Sequence, residues 1–322
     1  MVNEGPDIRD QEHDSSERDP GERVSGERVS GEQRAAGYDE GFLGVAVPFP
    51  APTGARETRA LDYVHFSVLL DPARRLAVAT GVNIDGAGMV EVDRGDDWHL
   101  DDRIPEEEQT GPAVYARNDL DRGHLVRRRD PVWGDPAEAA AANVDTFCYT
   151  NAAPQAADFN QGKELWVGLE DHVLAYADVN DVRLSVFTGP VLDPSDPPYR
   201  GTQIPRRFWK VATWTVGSPT VGDRQLRSAA FVLDQTPNLD DLENRGDLEP
   251  GDESRGALPD APPPLGPFRT FQVPVSDVAR ATGLDLDLLS AADVLSPVPA
   301  AVPARSEWRE LRAWTEITLA RE

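Results

Sequence analysis

The chain has 322 residues, of which 39% are hydrophobic, with seven tryptophans, ten phenylalanines and a formal charge of −25. That length holds one large domain or two small ones with a real core, and no window nears the roughly 18 consecutive apolar residues that a membrane-spanning helix requires. The net charge weighs against any polyanionic partner held by the overall field of the protein.

The acidity is uneven. Residues 1–41 carry 12 acids against 5 arginines, and residues 234–260 carry 9 against 2. Both segments have the composition of solvated, poorly ordered sequence, and together they supply 14 of the 25 negative charges. Lysine occurs only as Lys163 and Lys210, beside thirty arginines. Cys148 is alone, which excludes an intrachain disulfide and a cysteine-based zinc site. Met1–Asp7 lacks a basic n-region and an apolar h-region, so no Sec signal is expected in the chain as given. The compartment stays unassigned, between cytoplasm and non-Sec export.

In chain order, residues 1–40 are predicted to be a disordered acidic tail, with a short repeat in which Gly21–Ser25 recurs as Gly26–Ser30. Residues 41–322 are expected to form a single domain, with order beginning near Tyr63. Val64, Phe66, Val68 and Leu70 alternate with more polar neighbours, as do Leu76, Val78, Thr80, Val82 and Ile84. Period two predicts strands, and the intervening Asp71–Arg75 makes them a hairpin. His65 within the first strand reads as a packed residue.

Residues 87–120 are loop-rich and include Arg94, Trp98, His99 and Arg103. A short strand is predicted from Leu120 to Val126, a helical turn over Ala137–Ala142, and a buried strand over Thr146–Thr150. A helix is expected from about Gly162, with Leu165, Leu169, Val173 and Tyr176 on one stripe. Leu184–Val191, Phe208–Val216 and Leu226–Leu233 read as strands. Thr236–Pro267 is acidic and proline-rich, longer than an ordinary connection, and is expected to be a mobile loop at 236–267. Phe271–Val275 reads as a returning strand, followed by a short helix capped by Ser276 and ended by Gly283. Ser306–Ala320, with Trp308, Leu311, Trp314, Ile317 and Leu319, reads as an amphipathic helix. Strands without βαβ alternation indicate an α+β fold with a mainly antiparallel sheet and flanking helices.

The chemistry concentrates between Asp121 and Glu170: Asp121-Arg122-Gly123-His124, the run Arg127-Arg128-Arg129, Asn151, Asn160 and Glu170. Hydrolysis of a phosphodiester needs a water stripped of its proton, in-line attack, and relief of charge on the phosphoryl and leaving oxygens. Histidine suits the first task because its ordinary pKa lies near working pH. A divalent cation suits the last, and Mg²⁺ needs only one or two oxygens from protein, such as a side-chain amide. Arginine holds a phosphate oxygen in its fork. Each signal has a plainer reading: Asn160 as a helix cap, Asn151 as a turn residue, Glu170 as a solvated face. Their concentration within fifty residues is what points to a site.

This stretch resembles the DNA/RNA non-specific endonucleases, the ββα-metal (His-Me finger) nucleases that include mitochondrial endonuclease G. The hallmark Asp-Arg-Gly-His stands intact at 121–124, and Asn151, Pro154-Gln155, Asn160-Gln161, Trp166 and Leu169-Glu170 continue the pattern. Similarity extends over roughly residues 60–290, through Phe187–Pro190, Ile204–Lys210 and Ala230–Gln235. The resemblance implies a ββα-metal core and hydrolysis of DNA and RNA to 5′-phosphate products. It implies His124 as general base, Asn160 as direct ligand of Mg²⁺ (with Mn²⁺ as a substitute), and Arg122 as stabiliser of the transition state or leaving group. Glu170 would hold the metal's water shell and Asn151 would orient the site beside His124. An upstream arginine, Arg94 or else Arg103, would contact phosphate. Two alternatives stay open: a toxin or effector masked by an inhibitor or immunity partner, and an inactive binding protein on the same fold.

Overall fold

A computed structural model of the chain describes residues 37–156, 183–217, 224–236, 269–295 and 308–319. In chain order the strands are β1 (Arg59–Tyr63), β2 (Phe66–Asp71), β3 (Leu76–Asp85), β4 (Leu120–His124), β5 (Ala152–Ala156), β6 (Arg183–Pro190), β7 (Pro198–Tyr199), β8 (Thr202–Gln203), β9 (Arg207–Val216), β10 (Gln225–Asp234), β11 (Arg269–Val273) and β12 (Arg309–Leu311). The helices are α1 (Pro112–Tyr115), α2 (Pro136–Asp145), α3 (Val275–Thr282) and α4 (Asp287–Ala291).

Eight strands form one sheet in the order β1-β2-β3-β6-β9-β10-β11-β12, and every pairing is antiparallel. The expected α+β class with an antiparallel sheet is what the chain adopts. The central strands are apolar on both sides, so each face can bury against a covering layer. Phe208, Ala212 and Trp214 of β9 join Ala229, Phe231 and Leu233 of β10 in one core, while Trp209, Val211, Ala230 and Val232 join a second core on the opposite face. The second core is closed by Tyr38, Phe42, Leu43 and Val47 and by α3 and α4. The first is closed by Leu125, Val126, Cys148 and Ala153, which belong to the β4–β5 region. The sheet therefore seats the candidate site on one face.

Several expectations need correction. Order begins upstream of Tyr63: Tyr38 is buried and its backbone N–H bonds Ser67 Oγ at 2.9 Å. The hairpin is led by β1, which alternation missed, and Val64-His65 forms the two-residue turn between Tyr63 and Phe66. Thr146–Thr150 is no strand; Tyr149–Asn151 makes a 3₁₀ turn. The helical turn at 137–142 extends to Pro136–Asp145, because Asp135 caps it by accepting from Ala137 N–H and Pro136 begins it. The helix after β11 starts at Val275 behind Pro274, not at a Ser276 cap, and Gly283 ends it at φ 68°.

The predicted C-terminal helix is absent from 308–319. Arg309–Leu311 instead pairs with Thr270–Gln272 as an edge strand. Trp308 packs on Phe271 at 5.6 Å between ring centroids and donates its indole N–H to Asp277 Oδ2 at 3.0 Å. An open edge on β11 offers backbone partners that a solvent-side helix lacks, and this overrides the helical spacing. Of the tail expected over 1–40, residues 1–36 lie outside the described residues, while Tyr38 within it is buried. The helix after Gly162 and most of the 236–267 loop also lie outside the described residues. Among those residues, no helix is long and apolar enough to cross a membrane.

Candidate active site

The Asp-Arg-Gly-His tetrapeptide occupies the end of β4, which pairs with β5 in a two-stranded ribbon apart from the large sheet. Its register sets Arg122 against Pro154, Gly123 against Ala153 and His124 against Ala152. Leu120 and Gly123 turn inward, and Asp121 and Arg122 face out. Glycine at 123 leaves room for the end of the Gln155 side chain, whose Cδ would lie 2.2 Å from a Cβ there. Any larger residue would push Gln155 from its place across the ribbon.

Directly after His124 the chain dives into the core at Leu125 and Val126, and Asn151 holds it there. Leu125 N–H donates to Asn151 O at 2.9 Å, and Val126 N–H to Asn151 Oδ1 at 2.8 Å. The Asn151 amide donates to Val126 O at 2.9 Å and to Thr146 O at 3.0 Å. Asn151 has no exposed surface. Its amide is committed to backbone beneath the ribbon rather than turned into the cleft.

Above the ribbon lies a cleft of about 490 Å³. Arg94, Arg122, Arg127, Arg128 and Arg129 line it, with Asp96 and Asp121 as its acids. Cations crowd one another here. The Arg128 guanidinium is held below the usual range by burial and by Arg94, Arg129 and Arg127, although it donates to Asn143 Oδ1 at 3.0 Å. Arg129 pairs with the exposed Glu91 at 3.0 Å.

His124 sits at the centre. Burial, then Arg94, Arg128 and Arg122, push its imidazole down to about 3, so the ring is neutral at neutral pH. The residue is half-buried, and its Nε2 is buried and has no hydrogen-bond partner among the described residues. Trp98 packs on the ring at 4.7 Å and Phe147 meets it edge-on at 5.2 Å. The Arg122 guanidinium lies over the Trp98 ring at 5.3 Å.

The cleft therefore brings together His124, Arg122 and Arg94, with Asn151 below. It does not include Arg103, which is paired with Asp101 at 2.6 Å, donates to Asp62 O at 2.8 Å and covers the Tyr63 ring at 4.6 Å. Asn160 and Glu170 lie outside the described residues. His65 is structural: it stacks on Trp133 at 3.5 Å and its Nδ1 meets Pro131 O at 2.8 Å. Trp98 and Phe147 line the cleft without a role expected from sequence, and Gln155, which the motif includes beside Pro154, lines it with them. For Gln155 the signal was its place after Pro154 in the motif; Trp98 and Phe147 gave none, since no local pattern joins them.

Comparison with known proteins follows the same outline. The uncharacterized protein y4fB of Sinorhizobium fredii (strain NBRC 101917 / NGR234) is 40% identical over 282 residues, which is 81% of this chain and 40% of that protein. The chain thus spans less than half of that relative's length. A solved structure of the EndoG/EndoGI complex, described as showing the mechanism of EndoG inhibition, is 21% identical with a TM-score of 0.49, covering 74% of this chain and 87% of that one. The model of the DNA/RNA non-specific endonuclease family matches residues 47–293, from the segment packed behind the sheet, through the ribbon, to the residues just after α4. A match across that span makes this chain a member of the DNA/RNA non-specific endonuclease family.

Proposed function

We propose that the chain is an active, Mg²⁺-dependent endonuclease that hydrolyses phosphodiester bonds in DNA and RNA and leaves 5′-phosphates. The observation that carries this reading is a neutral, buried imidazole ringed by guanidinium groups in a protein whose formal charge is −25. Such crowding of like charge favours an anion, and a phosphodiester is the anion the family fits.

His124 is the general base. Buried among these cations its basicity is low, which leaves it free of a proton. An entering phosphate offsets the charges of Arg94, Arg122 and Arg128, and this raises the ring's affinity for a proton as it is needed. Water then adds to phosphorus, its proton passes to the imidazole, and the bond to the 3′ oxygen breaks. That oxygen leaves as a hydroxyl after taking a proton from solvent. Arg122, on the exposed side of β4, stabilises the developing charge, and Arg94 grips a phosphate oxygen. Asn151 acts by holding 125–126, and through it the direction of His124.

Bound Mg²⁺ supplies Lewis-acid relief of charge on the phosphoryl and leaving oxygens. No cluster of three His, Cys, Asp or Glu side chains exists among the described residues. A largely hydrated Mg²⁺ needs none, since one amide oxygen suffices. Asn160 would be that ligand and Glu170 would hold the water shell, with Mn²⁺ able to substitute. Attack by water leaves the 2′-hydroxyl unused, so the sugar does not limit the substrate.

The test is nicking of supercoiled plasmid and degradation of RNA by the purified chain with Mg²⁺, then with EDTA. Cleavage that EDTA abolishes and His124→Ala removes is expected. Equal rates in EDTA, or full turnover by His124→Ala, would overturn the proposal. For Asn160→Ala the expected result is a severe loss of activity with a displaced Mg²⁺ titration; an unchanged titration would remove Asn160 as the ligand.

A further inference from the structure

A general base must be aimed as well as neutral, and in many sites a carboxylate or carbonyl bonded to the imidazole does the aiming. The buried Nε2 of His124 has no such partner among the described residues. Three rings meet there instead. Trp98 and His124 are 4.7 Å apart, Phe147 and His124 are 5.2 Å apart, and Trp98 and Phe147 are 5.4 Å apart. The interplanar angles of 84° and 80° at Phe147 are edge-to-face contacts, a favourable arrangement of ring quadrupoles.

Trp98 belongs to a stretch of irregular chain, yet it is fixed. The next residue zips it to the segment bearing Phe147: His99 N–H donates to Phe147 O at 3.1 Å, and Tyr149 N–H donates to His99 O at 2.9 Å. Tyr149 adds a ring contact with Trp98 at 5.5 Å. On the cleft side, Arg122 covers Trp98 at 5.3 Å. The indole is thus carried on chain fixed to the Phe147 segment and is covered by the arginine two residues before His124.

We infer that Trp98 is the positioning residue that fixes the ring of His124, by aromatic packing in place of a hydrogen-bonded carboxylate. The inference rests on His124 being the base of the reaction proposed above. Burial is also the first cause of the depressed imidazole pKa, and Trp98 is part of the wall that excludes water from it. A platform for a nucleobase is the rival role, but contacts with Arg122, His124 and Tyr149 already occupy the indole.

The experiment uses the full chain with Mg²⁺, comparing wild type, Trp98→Ala and Trp98→Phe. Misaiming a reacting group by about an ångström costs roughly 100-fold in rate, so Trp98→Ala should lower kcat by about 10- to 100-fold while KM moves less than about twofold. Trp98→Phe, which keeps a ring against His124, should recover most of the loss. Proton NMR of the histidine rings gives a readout independent of turnover. The His124 signals, assigned with His124→Gln, should carry ring-current shifts that shrink to the Phe147 contribution in Trp98→Ala and largely persist in Trp98→Phe. Unchanged kcat, a rise in KM alone, or Trp98→Phe as impaired as Trp98→Ala would each overturn the inference. If wild type cut no nucleic acid, the proposed function would fall, and the ring-current comparison would still decide whether Trp98 holds the ring.

Discussion

The eight-stranded sheet and the β4–β5 ribbon follow opposite rules. In the sheet, β9 and β10 bury Phe208, Phe231 and Leu233 on one face and Trp209 and Val232 on the other, and ten residue pairs bind the two strands in unbroken register. At the ribbon, Arg122 shares one cleft with Arg94, Arg127, Arg128 and Arg129, and an imidazole nitrogen is buried without a bond to any described residue. Crowded like charges and unpaired buried groups both disfavour the folded state. Such departures concentrate where a ligand is to be bound or a proton moved. The sheet contributes the stability that lets the ribbon remain unsatisfied.

The sharpest way to break this contrast is His124→Ala. Loss of a general base should lower cleavage by about 10²- to 10⁴-fold, while the thermal midpoint falls only slightly, because the ring gives up its packing on Trp98 and Phe147 but no hydrogen bond from its buried nitrogen. A large drop in the midpoint would show that the ribbon, too, is built for stability. Phe231→Ala is the converse. Deleting this fully buried ring should cost about 3–5 kcal/mol in urea unfolding, with kcat per folded molecule unaltered; a matching fall in kcat would erase the division. Asn151→Ala probes the seam between the two. It leaves the Val126 N–H and the Val126 and Thr146 carbonyls without their partner, at about 1–3 kcal/mol for each group left unpaired, and should lower kcat as well. A stable variant with normal kcat would refute its role as support.

A smaller effect concerns pH. The folded imidazole of His124 titrates near 3, well below the ordinary 6.5. Between those values the unfolded chain takes up a proton that the folded chain refuses, so stability falls as pH is lowered from 6.5. The loss should reach at most about 2 kcal/mol by pH 5, and His124→Gln should flatten that part of the profile in urea melts. Parallel profiles for the two proteins would contradict the depressed value. Smallest of all, Arg129→Ala breaks an exposed pair with Glu91 and should change stability by less than about 1 kcal/mol; a larger change would mean the pair is structural.

Much of this was legible in the residues. The Asp-Arg-Gly-His run and the arginines after it pointed to the cleft because four adjacent residues on one strand share a site whatever the rest of the chain does. Strands such as β9 and β10 were legible because both faces are apolar. Arg94 could not be separated from Arg103 by sequence, since the choice depends on Asp101 taking Arg103 out of reach. Trp98 was unreadable for a similar reason: its neighbours in space, Phe147 and Tyr149, are about fifty residues away. The stretch around Trp308 and Leu311 was misread because helical spacing says nothing about an unpaired strand edge nearby.

That edge has a consequence of its own. Where β12 closes the sheet, it contributes only three residues, and two of them are Arg309 and Glu310, both exposed. A short, charged border makes a poor template for another molecule's backbone. Shaving the chain back before Trp308 would uncover β11 and give the sheet an adhesive margin, a seed for aggregation.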